Sequence, residues 1–539
     1  MGLDHFLLMP YLLWTIMIYC KGETNGGGND RSEAMPQKKV QLPTELIEIL
    51  SDLTEINGNY LVGGAVRDLV LDRYISDIDL VSHNLDEITC LLEKRVPGRK
   101  IVLGENKGQR CIRYVSAGYV YPDDHRSDGV LGRRRVNFDL VEMSKGGIKS
   151  DLQTRDFTVN ALAIPLKAFI SYLDGKLPLD LLDEEIVDPY NGLKDIEDKI
   201  LREVTTEIFI SDPLRLWRLW RFAAELGFKI DESLNNLVKA NINLCKLIPG
   251  ERIRQELILL LNCPHAADHL LEASNIGMLA EQFPEMQPMK GCDQNRAYHC
   301  HDVWDHSFQV LFELEKLINQ LEQYFTNIEQ RLLFETWLNA DNQLAVLKLA
   351  ALLHDIGKPM VKTVQQDGQV RFLNHEKAGL PEIKKIANRL RLSGREKKLL
   401  YFLVERHLQI HDLIGSAAMR TKGRFWLRYR EATLGLILLG AADLLAKKET
   451  AASLKKNDTF FNVSAPCFLD IWLNEVSSDS SLKLMLDGRE IIDRFGIEPG
   501  PQVSLIKKAL WEAQFEGIVN DKEEAIGYIL NLLNGIYDS

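Results

Sequence analysis

The chain has 539 residues, and at about 100 to 200 residues per domain this length predicts three or four domains. A composition of 45% hydrophobic and 26% charged residues is typical of folded globular proteins and argues against global disorder or a multi-span membrane protein. With 65 basic and 77 acidic residues, the formal net charge of -12 argues against a uniformly basic surface that coats nucleic acid, but it permits a local basic track. Eight cysteines without a CxxC pair predict reduced thiols and a cytoplasmic location.

The N-terminal region contains an apolar segment at residues 6–20 (FLLMPYLLWTIMIYC). It is shorter than the roughly 20 residues that span a bilayer. A secretory signal has basic residues before its apolar run, whereas Asp4 and His5 stand there, and no clear cleavage site follows. A membrane or export role and a disordered extension, with Met35 as the true start, both remain open. We assign residues 1–40 to an apolar and flexible extension and expect no membrane partner.

A candidate anion site follows the first predicted strand. The strand at residues 59–62 runs into Gly63 and Gly64, and a helix is predicted for residues 65–71. Two glycines remove side-chain bulk, so backbone amides can approach phosphate oxygens. Arg67 follows one helical turn later, near the positive helix terminus. Neither a GxxxxGK[ST] loop nor a GxGxxG turn is present, so the usual nucleotide-hydrolase and dinucleotide sites find no support.

A candidate metal site follows directly, in the predicted strand at residues 77–81. Its period-two alternation places Asp77 and Asp79 on one face. Two neighbouring carboxylates repel each other unless a divalent cation binds both as oxygen ligands. An isolated DxD is more often a solvated strand face, but the adjoining glycines and arginine favour a site for a nucleoside triphosphate carrying magnesium.

At this point the sequence resembles a known family. LVGGAVRDLVLDRYISDIDLVS (residues 61–82) is similar to the head of nucleotidyltransferases that add nucleotides to RNA 3′ ends, which include CCA-adding enzymes and bacterial poly(A) polymerases. Further similar segments follow in order: VNFD (136–139), DLQTRDFTVNALA (151–163), VDPYNGLKDIEDKILREV (187–204), SDPLRLWRLWRFAAELGF (211–228) and ERIRQEL (251–257). An ordered series over about 200 residues is far more specific than any one motif.

The resemblance implies two-metal nucleotidyl transfer, which requires carboxylates on one face of the site. Asp77 and Asp79 are the predicted magnesium ligands and catalytic residues. Asp139 is predicted as a third catalytic carboxylate on a neighbouring strand, with a polar strand-end residue as the equal alternative.

The second motif of the series supplies further predicted nucleotide-binding residues. The resemblance implies that Arg155 contacts the triphosphate or organises the site, together with the adjacent Asp156. Many relatives have a second arginine at the preceding position, where this chain has Thr154. The predicted nucleotide-binding set is Gly63, Gly64, Arg67, Arg155, Asp156, Asp212, Arg215 and Arg218.

The segment from residue 212 is predicted to be a helix that reads the nucleobase. Asp212 is predicted as its N-cap with a proline in the first turn, and Arg215, Arg218 and Arg221 form a stripe predicted to face a cleft or solvent. Simple capping and solvation are the alternative. The resemblance implies that Asp212 accepts a hydrogen bond from the amino group of cytosine or adenine while Arg215 donates to ring acceptors. Arg218 would then help to hold the base or a phosphate.

Farther along the chain, residues 350–358 (AALLHDIGK) predict an apolar helix that ends in adjacent His354 and Asp355. This pattern resembles the HD metal phosphohydrolases, in which imidazoles and carboxylates from several helices bind a divalent ion. The implied ligands are His306, His354, Asp355 and Asp443, with His375 and His407 as supporting or phosphate-contacting groups. A degenerate domain that serves packing and RNA contact is the alternative.

The predicted fold class is α+β, with a small mixed β-sheet in the head and mostly helical domains after it. The predicted domains are the head at 41–190, a nucleobase-reading and RNA-binding neck at 191–290, an HD domain at 291–450 and a helical tail at 451–539. In the tail, two amphipathic helices flank a Gly-x-x-Pro-Gly-Pro turn at Gly496, and the resemblance implies contact with the elbow of a tRNA. Basic runs at 133–135 and 389–398 could provide an RNA track.

These observations predict template-independent addition of C, C and A to tRNA 3′ ends from CTP and ATP with Mg²⁺. A second divalent ion and a phosphohydrolase activity are predicted for the HD domain. The alternatives are an A-only enzyme or poly(A) polymerase, an HD phosphohydrolase whose head only binds nucleotide or RNA, and a non-catalytic RNA-binding protein. The expected partners are tRNA, ATP and CTP, and no protein partner is identifiable.

Overall fold

A computed structural model describes residues 42–75, 77–106, 109–117, 119–120, 133–134, 136–294, 301–415, 419–447, 449–473, 484–515 and 518–537. The predicted extension at 1–40 lies outside these residues. The described chain forms two compact units, one of residues 42–256 and 273–282 and one of residues 257–272 and 283–537. Within the described ranges, no helix combines the length and apolar character that a membrane crossing requires. The predicted α+β class with a small mixed sheet is confirmed.

The first unit is organised around a six-stranded sheet in the order β3-β4-β7-β2-β1-β8. Only β2 and β7 pair in parallel, and the other neighbours are antiparallel. The strands of this unit, including two short pairs outside the main sheet, are β1 Tyr60–Val62, β2 Asp77–Ser82, β3 Gly98–Asn106, β4 Gln109–Ser116, β5 Tyr119–Val120, β6 Arg133–Arg134, β7 Asn137–Glu142, β8 Ala163–Pro165, β9 Ile200–Leu201 and β10 Lys229–Ile230.

Alternation in β2 and β7 separates a core face from a polar face. Ile78 and Leu80 on β2 and Phe138 and Leu140 on β7 are buried, while the aspartates between them are only half-buried. The helices of this part of the chain are α1 Thr44–Leu53, α2 Gly64–Val70, α3 Leu85–Arg95, α4 Gly147–Gln153, α5 Leu166–Leu173, α6 Leu179–Glu185 and α7 Gly192–Asp198. Helix α1 packs against α3 and α5.

The following helices are α8 Ile208–Ser211, α9 Arg215–Leu226, α10 Glu232–Asn241, α11 Gly250–Asn262, α12 Ala266–Asn275 and α13 Met278–Gln282. In α9 the apolar face buries Trp217 and Trp220. The predicted N-cap at Asp212 is wrong, because the helix begins three residues later at Arg215. The Asp212 carboxylate instead accepts a hydrogen bond from the Leu214 N–H at 3.2 Å, in the turn that precedes the helix.

The second unit is helical apart from the hairpin of β11 (Thr363–Val364) and β12 (Val370–Arg371). Its described α-helices between residues 303 and 473 are α14 Val303–Asn319, α15 Leu321–Tyr324, α16 Ile328–Leu338, α17 Gln343–Leu353, α18 Lys358–Val361, α19 His375–Ala378, α20 Leu380–Arg389, α21 Gly394–Arg406, α22 Gln409–Gly415, α23 Met419–Tyr429, α24 Ala432–Leu445, α25 Ala451–Thr459 and α26 Ala465–Ile471. Helices α14, α17 and α24 pack against one another. As predicted, the apolar helix α17 ends at His354.

The last three described helices lie within the predicted tail: α27 Gly488–Phe495, α28 Pro501–Phe515 and α29 Lys522–Tyr537. They share an apolar core that includes Leu510 and Ile529. The predicted turn between two helices is confirmed, since Gly496 adopts a left-handed conformation (φ 63°) where α27 ends. Sequence reasoning missed α29. The domain boundaries within each unit remain predictions.

Candidate functional site

Three carboxylates lie on the polar face of the sheet in the first unit. In the parallel pairing of β2 with β7, Asp79 lies opposite Asp139 and Asp77 opposite Asn137. Because residues two apart on a strand share a face, Asp77, Asp79 and Asp139 all project to the same side. The structure therefore brings together the carboxylates that the sequence predicted as catalytic.

Electrostatics at this face favour a cation. Burial raises the pKa of Asp79 to about 6, and Asp139 and Asp77 add to the rise while Arg155 opposes it. Burial also raises the pKa of Asp77. The hydrogen bond that Asn137 Nδ2 donates to Asp77 Oδ1 at 3.0 Å lowers this pKa but does not cancel the rise. A divalent ion bound between these oxygens would relieve both the repulsion and the desolvation.

Arg113 on β4 neutralises one of the three carboxylates. Its Nε and Nη2 donate to the two oxygens of Asp139, each at 2.6 Å, in a bidentate pair. Arg113 and Asp139 are cross-strand partners in the antiparallel pairing of β4 with β7. Sequence reasoning missed Arg113, because no motif marks β4 and only the strand register brings the two residues together.

The predicted glycine turn holds an arginine over its backbone. Gly63 has φ +66°, and a Cβ built there would lie 2.4 Å from Nη1 of Arg155. Arg155 Nη2 in turn donates to Asp151 Oδ2 at 3.3 Å. Gly64 begins α2 and would meet only ordinary contacts, the nearest being Arg67 Nη2 at 3.6 Å. Gly63 is thus the glycine that the close approach of Arg155 requires.

The predicted nucleotide contact Arg67 is buried, with 4% of its surface exposed. Its Nη1 donates to Asn160 Oδ1 at 2.7 Å, and its Nε donates to Asp68 Oδ1 at 2.9 Å. The contact with Asn160 ties α2 to a turn within the second motif. A direct contact of Arg67 with nucleotide remains a prediction.

Asp156 is also buried and its oxygens are occupied by protein donors. Oδ1 accepts from the Phe157 N–H at 2.8 Å and from Asn160 Nδ2 at 3.0 Å, and Oδ2 accepts from Arg218 Nε at 2.7 Å. Burial alone would raise the pKa of Asp156, but Arg218 and these hydrogen bonds hold it well below its usual range. The contact with Arg218 links Asp156 to α9. A direct contact of Asp156 with nucleotide stays a prediction.

The predicted base-reading pair lies at the start of α9. Arg252 Nη2 donates to Asp212 Oδ2 at 3.0 Å and Nη1 to Oδ1 at 3.2 Å, so a side chain that sequence reasoning missed fixes the Asp212 carboxylate. Arg215 donates to the Thr154 carbonyl and to Ser211 Oγ. Asp212 and Arg215 therefore lie near the residue that precedes Arg155.

The predicted cationic stripe on α9 is not a free surface. Arg218 pairs with Asp156, and Arg221 Nε donates to Glu256 Oε2 at 2.6 Å while its Nη1 contacts Glu225. The guanidinium of Arg221 also lies 3.8 Å from the centre of the Phe222 ring. Neighbouring acids neutralise two of the three arginines, and the expectation that the stripe faces a cleft or solvent stays a prediction.

The second unit brings all six predicted HD residues into one buried cluster. Its members, His306, His354, Asp355, His375, His407 and Asp443, come from or adjoin α14, α17, α19, α21 and α24. The structure contains groups that could hold a metal, among them His306 with His354 and Asp443, and His354 with Asp355 and His407.

Imidazole nitrogens and carboxylate oxygens lie close together in this cluster. His306 Nε2 lies 3.2 Å from Asp443 Oδ1, and His354 Nε2 lies 3.1 Å from Asp355 Oδ2. Although burial alone would raise it, the pKa of Asp355 lies well below its usual value, because His354 and Lys358 stabilise the ionised carboxylate.

Two lysines and a histidine that sequence reasoning did not assign also contact these carboxylates. Lys358 Nζ lies 2.6 Å from Asp355 Oδ2, and Lys447 Nζ lies 2.8 Å from Asp443 Oδ2. His411 Nε2 lies 3.7 Å from the same Asp443 oxygen. The HDxGK pattern contains Lys358, and Lys447 stands four residues after Asp443. His411 reaches the cluster through the packing of α22 against α24.

Two glycines allow the chain to cross itself beside the cluster. A Cβ on Gly357 would lie 2.1 Å from the His375 carbonyl oxygen and 2.5 Å from the Gly379 nitrogen. A Cβ on Gly379 would lie 3.0 Å from the Gly357 nitrogen. This contact holds α19, and with it His375, against the segment that follows Asp355.

Of the predicted basic runs, 133–135 falls mostly outside the described side chains. In the other run, Arg389 is paired with Glu285 and Arg395 with Asp341. Neither run is shown as an RNA surface. Among the described cysteines, Cys90, Cys111, Cys245, Cys263, Cys292 and Cys467, no two are joined by a disulfide.

Comparison with known families gives three matches. Residues 59–202 match the model of the Poly A polymerase head domain, and residues 303–448 match the HD domain. Residues 227–290 match a family described as the probable RNA and SrmB-binding site of polymerase A. The first two matches contain the carboxylate face and the histidine cluster, respectively.

Among curated proteins, the chain is 28% identical over 479 residues to the A-adding tRNA nucleotidyltransferase of Deinococcus radiodurans. This alignment covers 88% of this chain and 95% of that protein. It is 27% identical over 483 residues to the CC-adding tRNA nucleotidyltransferase of Thermus thermophilus, covering 87% and 92%. Its identity to the multifunctional CCA protein of Stenotrophomonas maltophilia is 27%, covering 73% and 83%.

Among solved structures, a tRNA-processing enzyme in its apo form I aligns with a TM-score of 0.51 at 21% identity, covering 88% of this chain and all of that one. A CCA-adding enzyme in complex with ATP aligns with a TM-score of 0.51 at 16% identity, covering 92% and 95%. At these identities the likeness concerns the fold.

Proposed function

Because the chain belongs to the family of tRNA nucleotidyltransferases and bacterial poly(A) polymerases that carry an HD domain, we propose that it adds C, C and A to tRNA 3′ ends without a template. CTP and ATP are the proposed substrates. The observation that carries the proposal is the carboxylate face, on which Asp77, Asp79 and Asp139 project from two strands in register. Such a face suits the transfer of a nucleotidyl group, because its carboxylates can bind the divalent ions that neutralise the triphosphate.

In the proposed reaction the 3′-hydroxyl oxygen of the RNA attacks the α-phosphorus of the nucleotide. A new O–P bond forms, the bond to the β-phosphate oxygen breaks, and pyrophosphate leaves. Asp77 and Asp79 would hold Mg²⁺, which lowers the pKa of the hydroxyl and neutralises charge on the phosphates when it is bound. Both side chains offer hard oxygen ligands, and their raised pKa values indicate carboxylates that lack sufficient positive charge nearby.

Arg155 is proposed to orient the triphosphate. Its guanidinium lies against the backbone of Gly63, and its Nε is buried without a hydrogen-bond partner. An unpaired donor beside the carboxylate face suits an anionic ligand.

Asp212 and Arg215 are proposed to select the base. Cytosine and adenine present an amino group beside a ring acceptor, so a carboxylate and a guanidinium can satisfy both, whereas uracil and guanine present a carbonyl to the carboxylate. Arg252 fixes the Asp212 carboxylate from one side, and each oxygen keeps a further lone pair for the base.

A nucleotide-by-nucleotide extension assay tests the proposal. The protein is incubated with Mg²⁺, labelled CTP or ATP, and tRNA that ends before CCA, after C, or after CC. Addition of two C residues and then one A is expected, and no incorporation of either nucleotide would overturn the proposal. Since similar proteins are named A-adding and CC-adding, the three substrates also separate these partial activities, and long A tracts would indicate a poly(A) polymerase.

Two double variants test which of the two sites carries out nucleotide addition. Asp77→Asn with Asp79→Asn should abolish addition, while His354→Gln with Asp355→Asn should leave it intact. The reverse result would contradict the assignment of transfer to the head. The cytoplasm is the proposed compartment, since tRNA is the proposed substrate.

A phosphohydrolase activity of the HD cluster is the second proposed function. Buried imidazoles and carboxylates that converge with two lysines suit a metal-bound phosphate ester. Release of inorganic phosphate from phosphate mono- and diesters, lost in the His354/Asp355 variant but kept in the Asp77/Asp79 variant, is the expected result. Absence of release from every ester tested would indicate that the cluster serves another role.

A further inference from the structure

Phe222 lies where three arginines of the first unit converge. We propose that Phe222 is a positioning residue of the nucleotide site, and that its ring fixes the guanidinium of Arg218 where a bound nucleoside triphosphate reaches it. The inference rests on the proposed function, since CTP and ATP are the ligands that it concerns. Phe222 itself is buried, with 4% of its surface exposed, so it acts through the arginines and not by touching the nucleotide.

Three guanidiniums lie over the same phenyl ring. Cζ of Arg221 lies 3.8 Å from the ring centre, that of Arg218 5.1 Å and that of Arg67 5.2 Å. The face of a phenyl ring carries negative charge density and attracts a cation within about 6 Å. Because like charges repel one another, a ring that attracts all three cations stabilises an arrangement that the guanidiniums alone would oppose.

The ring joins parts of the first unit that come from different motifs. Arg218 and Phe222 are four residues apart on α9, which places them on one face of that helix. Arg67 belongs to α2. The ring of Phe157, from the second motif, meets the Phe222 ring edge-to-face, with 5.9 Å between the centroids and an angle of 82°. This contact fixes the orientation of the Phe222 ring, and with it the direction of the face that the cations meet.

Polar contacts join the three arginines into a closed circuit. Each member contacts the next, and the last contacts the first: Arg67, Asn160, Asp156, Arg218, Glu256, Arg221 and Glu225. Within the circuit, three carboxylates balance three guanidiniums. The circuit therefore carries no net charge, although it brings three cations to one ring.

Two of these carboxylates are shared between arginines. Glu256 Oε2 accepts from Arg221 Nε at 2.6 Å, and Glu256 Oε1 lies 3.7 Å from Arg218 Nη1. Glu225 Oε2 accepts from Arg221, and Glu225 Oε1 lies 3.9 Å from Arg67 Nη2. A shared carboxylate can pair with either neighbour, so ion pairs alone leave more than one arrangement open. The common ring selects the arrangement in which all three guanidiniums lie over it.

Arg218 is the most accessible of the three arginines. Its side chain is 32% exposed, against 4% for Arg67 and 11% for Arg221. Asp156 engages Nε and Nη2 of Arg218, while Nη1 has the longer contact of 3.7 Å with Glu256. Guanidinium N–H groups donate strongly to phosphate oxygens. Since the triphosphate is common to CTP and ATP, loss of this position should weaken the binding of both nucleotides equally.

Graded fluorination of Phe222 tests the inference with little change in packing. Site-specific incorporation of mono-, di- and trifluorinated phenylalanine withdraws charge density from the ring face stepwise, while the ring keeps nearly the same size. Equilibrium dialysis of the full chain against labelled CTP or ATP with Mg²⁺, without tRNA, measures the Kd. Each step should weaken both nucleotides by the same factor, and the trifluorinated protein should bind them about three- to tenfold more weakly than the wild type.

Single-nucleotide addition to tRNA supplies the second readout. The KM for each nucleotide should rise by the same factor as the Kd, while kcat changes less. Phe222→Leu keeps an apolar side chain but removes the ring, so it should weaken both nucleotides at least as much as trifluorination. Thermal unfolding verifies that each protein is folded, and a Phe222→Leu protein that unfolds leaves the fluorinated series as the test.

The same fluorinated residues at Phe169 provide the matched control. This ring is fully buried on α5, and among the described side chains none of the three guanidiniums lies over it. Fluorination there should leave the Kd of both nucleotides unchanged. An equal loss of binding in the Phe169 and Phe222 series would show that Phe222 acts only through packing, and would overturn the inference.

The outcomes also separate this inference from the proposed function. Values of Kd that stay constant across the fluorinated Phe222 series would overturn the inference even in a protein that extends tRNA. A graded loss of binding in a protein that extends no tRNA would support the role of Phe222 and contradict the proposed reaction. A loss confined to CTP or to ATP would place Arg218 at the base and overturn the phosphate contact.

Discussion

Asp79 lies directly opposite Asp139 on the parallel strands β2 and β7, and Arg113 holds the second of these carboxylates in a bidentate pair. Arg113 therefore neutralises Asp139, whereas Asp79 has no such bidentate partner among the described residues. This difference determines how the site should respond to mutation and to pH.

Asp79→Asn should abolish nucleotide addition but stabilise the folded protein at neutral pH. A rise of the Asp79 pKa from 3.8 to about 6 corresponds to roughly 3 kcal/mol, and partial exposure reduces the expected gain to about 1 to 2 kcal/mol. The raised pKa means that the folded wild type binds more protons than the unfolded chain between these values. Wild-type stability should thus fall as pH rises from about 4 to about 6.

Urea denaturation across this pH range without added metal checks the effect. The Asp79→Asn variant should lack that part of the pH dependence. Asp139→Asn serves as the matched comparison, because it breaks the pair with Arg113 and should not stabilise the protein. An Asp79→Asn variant that is less stable than wild type at pH 7 would refute this account.

Asp156→Ala should destabilise the first unit by about 3 to 5 kcal/mol, because it leaves the buried Arg218 guanidinium and two N–H donors without their acceptor. Because the pKa of Asp156 is lowered and that of Asp79 is raised, their contributions to the free energy of unfolding change with pH in opposite directions. The contribution of Asp156 is complete above the unfolded pKa near 3.8 and is lost as pH falls below it. Denaturation at pH 7 and pH 3 measures both effects. Asp174→Ala, at an exposed ion pair with Lys176, should change stability by less than about 0.5 kcal/mol.

Gly63→Ala should impair nucleotide addition far more than Gly64→Ala. The new Cβ must displace Arg155, and alanine at φ +66° costs about 1 kcal/mol or more. Gly64 lies in the first turn of α2, where a Cβ meets only ordinary contacts. Steady-state kinetics of single-nucleotide addition should show a raised KM for the triphosphate in the first variant alone. Equal effects of the two substitutions on the KM would contradict the proposed contact between Arg155 and the triphosphate.

Gly357→Ala should destabilise the second unit by about 2 to 4 kcal/mol and weaken metal retention, because the new Cβ would overlap the His375 carbonyl and push α19 away. Gly394→Ala is the control, since nothing lies within 4 Å of a Cβ at that position in the first turn of α21. Thermal unfolding and Mn²⁺ content after dialysis provide the measurements. A Gly357→Ala variant that is as stable as the control and keeps its metal would show that the crossing tolerates a side chain.

Local patterns predicted the short strand before Gly63, the DxD strand and the apolar helix before His354, because each depends on periodicity or on a turn residue. The convergence of six distant side chains on one HD cluster was predicted only through a family pattern. Arg113, Arg252 and His411 were missed, because strand register and helix packing bring them to their partners, whereas Lys447 was missed although it stands four residues after Asp443. The supposed N-cap at Asp212 failed because the helix begins only at Arg215, and the carboxylate instead contacts the Leu214 amide and Arg252.

The position of β7 between β2 and β4 has a consequence for synthesis of the chain on the ribosome. Asp79 and Asp139 are 60 positions apart, which corresponds to roughly 3 to 12 seconds of translation. In the later part of that interval, β2 and β4 have both been made but lack the neighbour they share. The emerging head then carries two open strand edges, and one of them bears the acidic pair Asp77 and Asp79. Pairing of β7 with both strands closes these edges and adds Asp139 to the carboxylate face.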